Sequence, residues 1–431
     1  MPAYHNKVRQ SNEKNDQPLS VKQLLLSDLQ ETVKGRFASF CTAVGIQALT
    51  IMMNHDVEAL AGPKGKHDPN RTAYRHGSQA TTIPMGNQRL AMERPRVRSI
   101  ETKQELPIPS YEAFASDDQL LEAALNRMLY GMSSRDYGHG IEDYSDVAEV
   151  SGISKSSISR RFIKAGEAEA QKVLIRRFET ETIPALLIDG IVLGDYTAIV
   201  SMGITSDGQK LIMGVRIGSV ENAQVCRDLL IDLMDRGLNY NDGILAVIDG
   251  SKALRRALKD VFGEHVLIQR CQVHKMRNIL DYLPKYKREW MKRKLKKAWA
   301  SETADEAIRK LRSLATSLQH EHPDAAASLR EGLEETVTVL RLSIPALLQK
   351  SLLSTNAIES GFSMVAKNIK NVKNWKNGTM VQRWVSAALL DAERRAHRIP
   401  GYRSMGALIS EIKRLITVVD MDSMENKSKT A

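Results

Sequence analysis

The 431-residue sequence predicts an α/β protein: a mixed sheet covered by helices, carrying an all-helical insertion and preceded by a mainly helical region with a small β segment. Three observations predict it. Five apolar runs of strand length lie between residues 184 and 271; tight turns join the first three, and helix-patterned stretches separate the last two. Roughly a hundred residues after position 249 read as helices, too many for a plain connection. Residues 18–178 are dominated by apolar positions at three and four spacing, interrupted once by a Gly/Pro-punctuated stretch.

A hydrophobic content of 42% is enough for a sizeable core. Sixty-two Lys and Arg against 51 Asp and Glu give a net charge of +11 and a pI near 9.4, which favours a polyanionic partner. Three scattered cysteines, Cys41, Cys226 and Cys271, cannot make a disulfide framework and fit a reducing compartment. No apolar run approaches a membrane span and residues 1–17 are polar, so a soluble, cytoplasmic protein without membrane contact is expected.

Taken in order, residues 1–17 read as a disordered arm and 18–110 as a helical region with a small β element. The helical pattern from Ser20 to Met53 suggests two short helices broken near Gly45. After the basic loop GPKGKHDPNRT, Pro84 and Pro95 forbid long helices and leave a small hairpin. Its Arg89, Arg94, Arg96 and Arg98 suit phosphate contacts and equally a solvated basic edge. In 111–178, VAEVSGISKSSISRRF has the layout of a helix-turn-helix: a short helix, a turn at Gly152, and a second helix capped by Ser154. The second helix offers Lys155, Ser156, Ser157, Arg160, Arg161 and Lys164, side chains able to touch phosphates and base edges in a major groove. An ordinary helical hairpin with a charged solvent face fits the same residues; the basic net charge favours DNA.

Residues 179–280 follow the order β-β-β-α-β-α-β. Gly194-Asp195 closes the first hairpin, which puts Asp189 of PALLIDGIVL within a strand, and ILAVID ends on Asp249. Asp-Gly is a common turn dipeptide, and both acids could be loop ends. The fourth strand, however, follows a crossover helix and should lie parallel to a neighbour. In a fold of the ribonuclease H type this order sets the first and fourth strands side by side, so Asp189 and Asp249 project toward one spot. Two such carboxylates are costly to bury unless a divalent cation neutralises them, and Mg²⁺ suits a few carboxylates with water and phosphate oxygens. Two ions about 3.5–4 Å apart can serve the attacking and leaving oxygens of a phosphodiester. A third acid is expected.

LLIDG, AVIDGSKALRRAL, RCQVHKMRNI and LLSTNAIESGFSMV resemble the catalytic segments of Mutator-type bacterial insertion-sequence transposases, and the resemblance runs on to QRWVSAALLDAERRAHRIPGYRSM. It implies a ribonuclease H-like core with Asp189, Asp249 and Glu359 as catalytic, metal-holding acids. It further implies Mg²⁺ (or Mn²⁺ in its place), a helical insertion at 281–350, and a second part of the core at 351–431. Glu359 lies three residues after Asn356, a capping-box layout with a purely structural reading as well. Cys271 and His274 form a C-x-x-H that lacks a second pair for a structural zinc; the resemblance places it by the active site, with His274 in a catalytic role toward a phosphate or DNA end, and a satisfied histidine at a strand end fits the same residue. Basic stretches flank the Glu: KYKREWMKRKLKKAW with Lys292, Arg293 and Lys296, and KNIKNVKNWKN, where a helix would set Lys367, Lys370, Lys373 and Lys376 in a stripe. With Arg383 and Trp384 they are assigned to DNA.

The expected protein is therefore a DNA transposase that binds terminal inverted repeats and target DNA as a homodimer or larger homo-oligomer. It would free a 3′-hydroxyl and direct it at a phosphodiester. A silent transposase-derived regulator and a ribonuclease H-like structure-specific nuclease are the rivals. No activated Ser, Cys or Tyr nucleophile with a nearby base is visible.

Overall fold

The computed structural model describes residues 36–66, 68–218 and 223–429. The expected arm at 1–17 and the start of the first helical segment lie outside them. The chain forms two compact units, one from the residues up to Leu120 with Arg135–Ser157, the other from Leu121–Ser134 with Ile158 onward.

The first unit begins with α1 (Phe37–Ala61), one continuous helix rather than two, with Gly45 in its interior. Its length and composition would suffice to cross a membrane, contrary to the expectation of no such run. Leu49, Met53, Val57 and Ala61 bury against Ile83, Met92 and Val97 of a long hairpin, β1 (Ala73–Met85) and β2 (Gln88–Ser99), while Phe37, Phe40, Val44, Ile51 and Met52 stay exposed. Met85 pairs with Gln88 across the two-residue turn Gly86-Asn87, both residues at positive φ, which matches the right-handed twist of the strands. A Cβ at Gly86 would also meet the Tyr144 ring at 2.2 Å. The hairpin accommodates Pro84 and Pro95 in β-strand positions. β3 (Glu105–Leu106) pairs with β2, and α2 (Pro109–Ala115) and α3 (Asp118–Leu129) follow.

No helix lies between the short 3-10 turn Tyr137–Gly140 and Gly152. Residues 145–147 are a turn, and β4 (Val150–Ser151) pairs with Leu90 and Arg89 of β2, so the helix-turn-helix expectation fails at its first helix. The β-branched Val150 is used as a strand residue, in keeping with its propensity. The second helix, α4 (Lys155–Ile175), is present, and Ser154 Oγ accepts from the Ser157 amide at 3.3 Å, the expected cap.

The second unit holds the larger sheet: β5 (Ala185–Leu193), β6 (Tyr196–Ile204), β7 (Lys210–Gly218), then α5 (Ala223–Asp235), β8 (Ile244–Ile248), α6 (Lys252–Phe262) and β9 (Val266–Arg270). The strand order is β7-β6-β5-β8-β9, with the first three antiparallel and β5, β8 and β9 parallel. β5 and β8 are apolar on both faces because both faces are covered. Leu186, Ile188, Ala246 and Ile248 pack with α5 and α6, whereas Ala185, Leu187, Leu245 and Val247 face a second core.

The helical stretch after β9 comprises α7 (Gln272–Asp281), α8 (Lys285–Trp299), α9 (Ala304–Leu318), α10 (Pro323–Arg330) and α11 (Thr338–Arg341). Most of it has its own core, with Met291, Leu295, Leu311 and Leu329 inside. Then come α12 (Ala346–Leu352), α13 (Asn356–Asn368), α14 (Gly378–Arg395) and α15 (Met405–Lys429). Ile358, Val365, Val385 and Leu389 carry α13 and α14 onto the sheet face that holds Leu187 and Val247.

Candidate active site

Strand alternation decides where the two aspartates point. Successive side chains of a strand change faces, so Asp189 shares the face of Ala185 and Leu187. Asp249 directly follows β8 and continues the parity of Leu245 and Val247. Ile188 and Ile248 are register partners, which makes Asp189 and Asp249 the next residues along neighbouring parallel strands. The first turn of α13 carries Glu359 over the same face. Asp189 is 8% exposed, accepts from the Gly190 amide at 2.8 Å, and feels Asp249, His274 and Glu359 electrostatically. Burial, reinforced by the negative charges of Asp249 and Glu359, pushes its carboxyl up to about 6 despite the Gly190 bond and the nearby imidazole. Asp249 Oδ1 accepts from the Ser251 amide at 2.9 Å, which closes the turn into α6.

The other wall is built on Thr355, a residue the sequence reading missed. Its buried hydroxyl donates to Glu359 Oε1 at 3.0 Å and lies 3.4 Å from His274 Nδ1, while its amide donates to Cys271 Sγ at 3.4 Å. His274 Nε2 is 3.9 Å from Glu359 Oε1. The bond to Cys271 and the negative charges around the imidazole outweigh its burial and push it up to about 9, so it is a cation at neutral pH. Burial raises the Cys271 thiol, but bonds from His274 and Thr355 outweigh it and hold the thiol below its ordinary range. The capping box is not formed: Thr355, not Asn356, is the N-cap of α13, and Asn356 is its exposed first residue. The only earlier signal for Thr355 was its place directly before Asn-x-x-Glu.

Two kinds of donor set are therefore present. Cys271, His274 and Glu359 offer ligand atoms within 4.8 Å of one another, a compact group that could hold a metal ion. Asp189 and Asp249 add hard oxygen donors from β5 and the end of β8, with Asp249 and Glu359 adding to the burial that raises the Asp189 carboxyl.

Polar clamps tie this wall to the helical insertion. Arg270, 5% exposed, donates to the Glu331 carbonyl at 2.7 Å, and the buried Lys275 ammonium donates to the Ser328 and Glu331 carbonyls. Burial first, then the charge of Arg270, pushes Lys275 down to about 7. Gln269 and Gln272 both donate to the Thr336 carbonyl. None of these residues stood out in the sequence, because long polar side chains are ordinarily read as surface.

The residues assigned to DNA separate into groups. On α4, Lys155, Ser156, Arg160 and Lys164 are exposed; Ser157 is taken up in capping and Arg161 is half-buried. On α8, Arg293 and Lys296 are exposed and Lys292 pairs with Glu289. The expected lysine stripe does not form: α13 ends at Asn368, leaving Lys370, Lys373 and Lys376 exposed on an irregular segment. Asn377 caps α14 through the Met380 amide, and Asn371 donates to the Gly131 carbonyl, uses of asparagine that compete with helix. Trp384 is 7% exposed and packs on Phe162 with ring centroids 4.3 Å apart, which puts its ring in the core, and Arg383 pairs with Glu167. Arg94 and Arg96 bond Glu105 and Arg89 bonds Asp117, so three of the hairpin arginines are spent internally.

The family model described as Transposase, Mutator family, matches residues 21–397. The chain belongs to that family. This Mutator-family chain is 29% identical over 312 residues to the transposase for insertion sequence element ISRM5 of Rhizobium meliloti (strain 1021), covering 70% of the chain and 74% of the relative. It is 28% identical over 251 residues to the transposase for element IS6120 of Mycolicibacterium smegmatis, covering 57% of the chain and 75% of the relative. With the transposase for element IS256 in transposon Tn4001 of Staphylococcus aureus it shares 23% identity over 360 residues, 79% of the chain and 86% of the relative. A Mutator-family transposase agrees with the resemblance carried by its Asp-Gly, Cys-x-x-His and Asn-x-x-Glu segments.

Proposed function

We propose that this Mutator-family chain is an insertion-sequence transposase that binds terminal inverted repeats and cuts and joins DNA at Asp189, Asp249 and Glu359 on a ribonuclease H-like core. One observation carries the reading: Ile188 and Ile248 are register partners on adjacent parallel strands of a β7-β6-β5-β8-β9 sheet, and Asp189 and Asp249 directly follow them, beneath the helix that bears Glu359. Asp249 and Glu359 both act electrostatically on the buried Asp189 carboxyl, and carboxylate oxygens suit a hard divalent cation, although the compact donor group among the described residues is Cys271, His274 and Glu359. Held there, Mg²⁺ or Mn²⁺ supplies Lewis acidity toward the attacking and leaving oxygens of a phosphodiester. Thr355 fixes the Glu359 carboxylate and the imidazole of His274. The His274 imidazolium offers a donor to a non-bridging phosphate oxygen or a DNA end. Exposed Lys155, Arg160 and Lys164, with Arg293, Lys296, Lys370, Lys373 and Lys376, bring positive charge to the DNA backbone, and the exposed Ser156 hydroxyl can bond a phosphate oxygen. Bringing two element ends together requires a dimer or larger homo-oligomer.

The test is cleavage and joining of labelled terminal-repeat DNA taken from the flanks of the encoding gene, with Mg²⁺ or EDTA, by wild type and Asp249→Ala. Metal-dependent nicks and joined products, lost in the variant while binding persists, are expected. Binding by both proteins without cleavage under any metal would leave a DNA-binding regulator, and cleavage without joining would leave a nuclease.

A further inference from the structure

A cavity of about 380 Å³ lies on the side of α13 turned away from the acids, between that helix, α14 and the strands β6 and β7. None of Asp189, Asp249 and Glu359 lines it. Its floor is apolar, with Met202, Met364 and Leu389, and its rim carries Lys210, Lys367 and His397. The floor depends on Gly361, where a Cβ would come within 3.2 Å of Leu389 and 4.0 Å of Met202; both of those side chains are buried, and the half-buried Met364 is the thioether that the floor presents.

The rim has donors and no internal acceptor for them. Lys210 is half-buried, and burial alone lowers the proton affinity of its amine; no carboxylate acts on it. Glu393 also lines the cavity, but Arg176 holds it through two bonds of 2.8 and 2.9 Å, so its charge is already matched. Arg395 is likewise committed, to Asp391 and to the Tyr130 ring. Among the described residues Lys210, Lys367 and His397 have no hydrogen-bond or ion-pair partner. A half-buried ammonium without a partner is unfavourable for the fold, and an anion from outside relieves it. The adjoining floor, where Met364 lies over the buried Met202 and Leu389, suits a flat aromatic body, because thioethers pack well against rings.

We propose that this cavity binds a single nucleotide, its phosphate held by Lys210, Lys367 and His397 and its base laid on Met364 at the apolar floor. The site is separate from the proposed acid cluster but shares α13 with it, so an occupied cavity would brace the helix that carries Glu359. The nucleotide comes either as a free mononucleotide or as an unpaired position of a DNA strand. Only the second source rests on the proposed function.

Calorimetry on the full chain with deoxyadenosine monophosphate, deoxyadenosine and inorganic phosphate tests it. The monophosphate is expected to bind at least about tenfold tighter than either part. Lys210→Met should weaken it about tenfold or more while Lys210→Arg retains it. The exposed pair Lys367→Gln with His397→Ala should weaken it too, which keeps the test decisive if Lys210→Met does not fold. Asp249→Ala, inactive under the proposed function, should bind the monophosphate like wild type, so the two proposals fail separately. Displacement by a duplex with a two-nucleotide overhang and not by a blunt one assigns the nucleotide to DNA; displacement by neither assigns it to the free pool. No binding of the monophosphate, binding unchanged in a folded Lys210→Met protein and in the surface pair, phosphate bound as tightly as the nucleotide, or equal displacement by blunt duplex would overturn the proposal.

Discussion

Thr355 donates its hydroxyl to Glu359 at 3.0 Å, and the same oxygen lies 3.4 Å from Nδ1 of His274. One small buried side chain thereby orients both the acid of α13 and the imidazole of α7. If the His274 ring donates from Nδ1 to that oxygen, the hydroxyl proton is free for the carboxylate, and both bonds are satisfied together.

Thr355→Val keeps the shape and removes the hydroxyl. Outer partners of this kind typically change activity or metal affinity by about 10–100-fold. The variant is expected to lose strand cleavage by a factor in that range while binding terminal-repeat DNA as wild type does, read by gel shift alongside the cleavage assay. Unchanged cleavage would mean that Glu359 and His274 need no such support.

Asp189 makes a pH prediction with a definite sign. Its folded value of about 6 lies above the ordinary 3.8, so between those values the folded chain holds a proton that the unfolded chain has released. The stability from this group is full below about 3.8 and is lost as pH rises through about 6. In EDTA, the difference in melting temperature between wild type and Asp189→Asn should therefore move against wild type from pH 4 to pH 7. Added Mg²⁺ should reverse the trend above pH 6, where the carboxylate is free to bind it, and do little below. A difference that is flat with pH would place Asp189 outside the acid cluster.

Trp384 tests a correction. A tryptophan amid arginines and next to Arg383 reads as a nucleic-acid contact, yet its ring packs on Phe162 and contributes to the larger core. Trp384→Ala should cost about 3–5 kcal/mol of stability, measured by urea unfolding. Trp384→Phe, which keeps an aromatic ring against Phe162, should bind DNA with wild-type affinity. A large affinity loss in a stably folded Trp384→Phe protein would restore the DNA contact.

The order of strands and helices around Asp189 and Asp249 was legible because each strand is an apolar run bounded by turn residues, and because a crossover helix forces β8 parallel to a neighbour. Glu359 was legible only through resemblance, since its local pattern is that of a capping box, and only the tertiary contacts of Thr355 tell the two apart. Val150 shows the opposite failure. Its neighbours suggest a helix, but pairing with Leu90, some sixty residues earlier, makes it a strand, and such a partner is invisible in a local window. The lysines at 370, 373 and 376 failed for another reason: regular spacing of charges says nothing about helix when the intervening asparagines cap and bond elsewhere.

Gly250 carries the last prediction, because it joins the Asp249 turn to the helical insertion. Its φ of +110 is open to glycine and strained for other residues, and a Cβ there would lie 2.3 Å from the Arg270 Nε. Arg270 cannot readily retreat: it is buried, its guanidinium bonds the Glu331 carbonyl, and Gly332 crowds it from the other side, where a Cβ would come within 2.8 Å. Gly250→Ala must therefore shift either the turn that aims Asp249 or the arginine that ties β9 to the insertion. A backbone forced into such a region costs about 1–3 kcal/mol by itself. Urea unfolding should show a loss at least that large, with cleavage reduced further than stability alone explains. In the double variant Gly250→Ala, Arg270→Ala the clash is gone but the φ strain and the lost clamp remain, so stability should not return to wild type. Recovery to the wild-type midpoint would show that the arginine contributes only bulk at this junction.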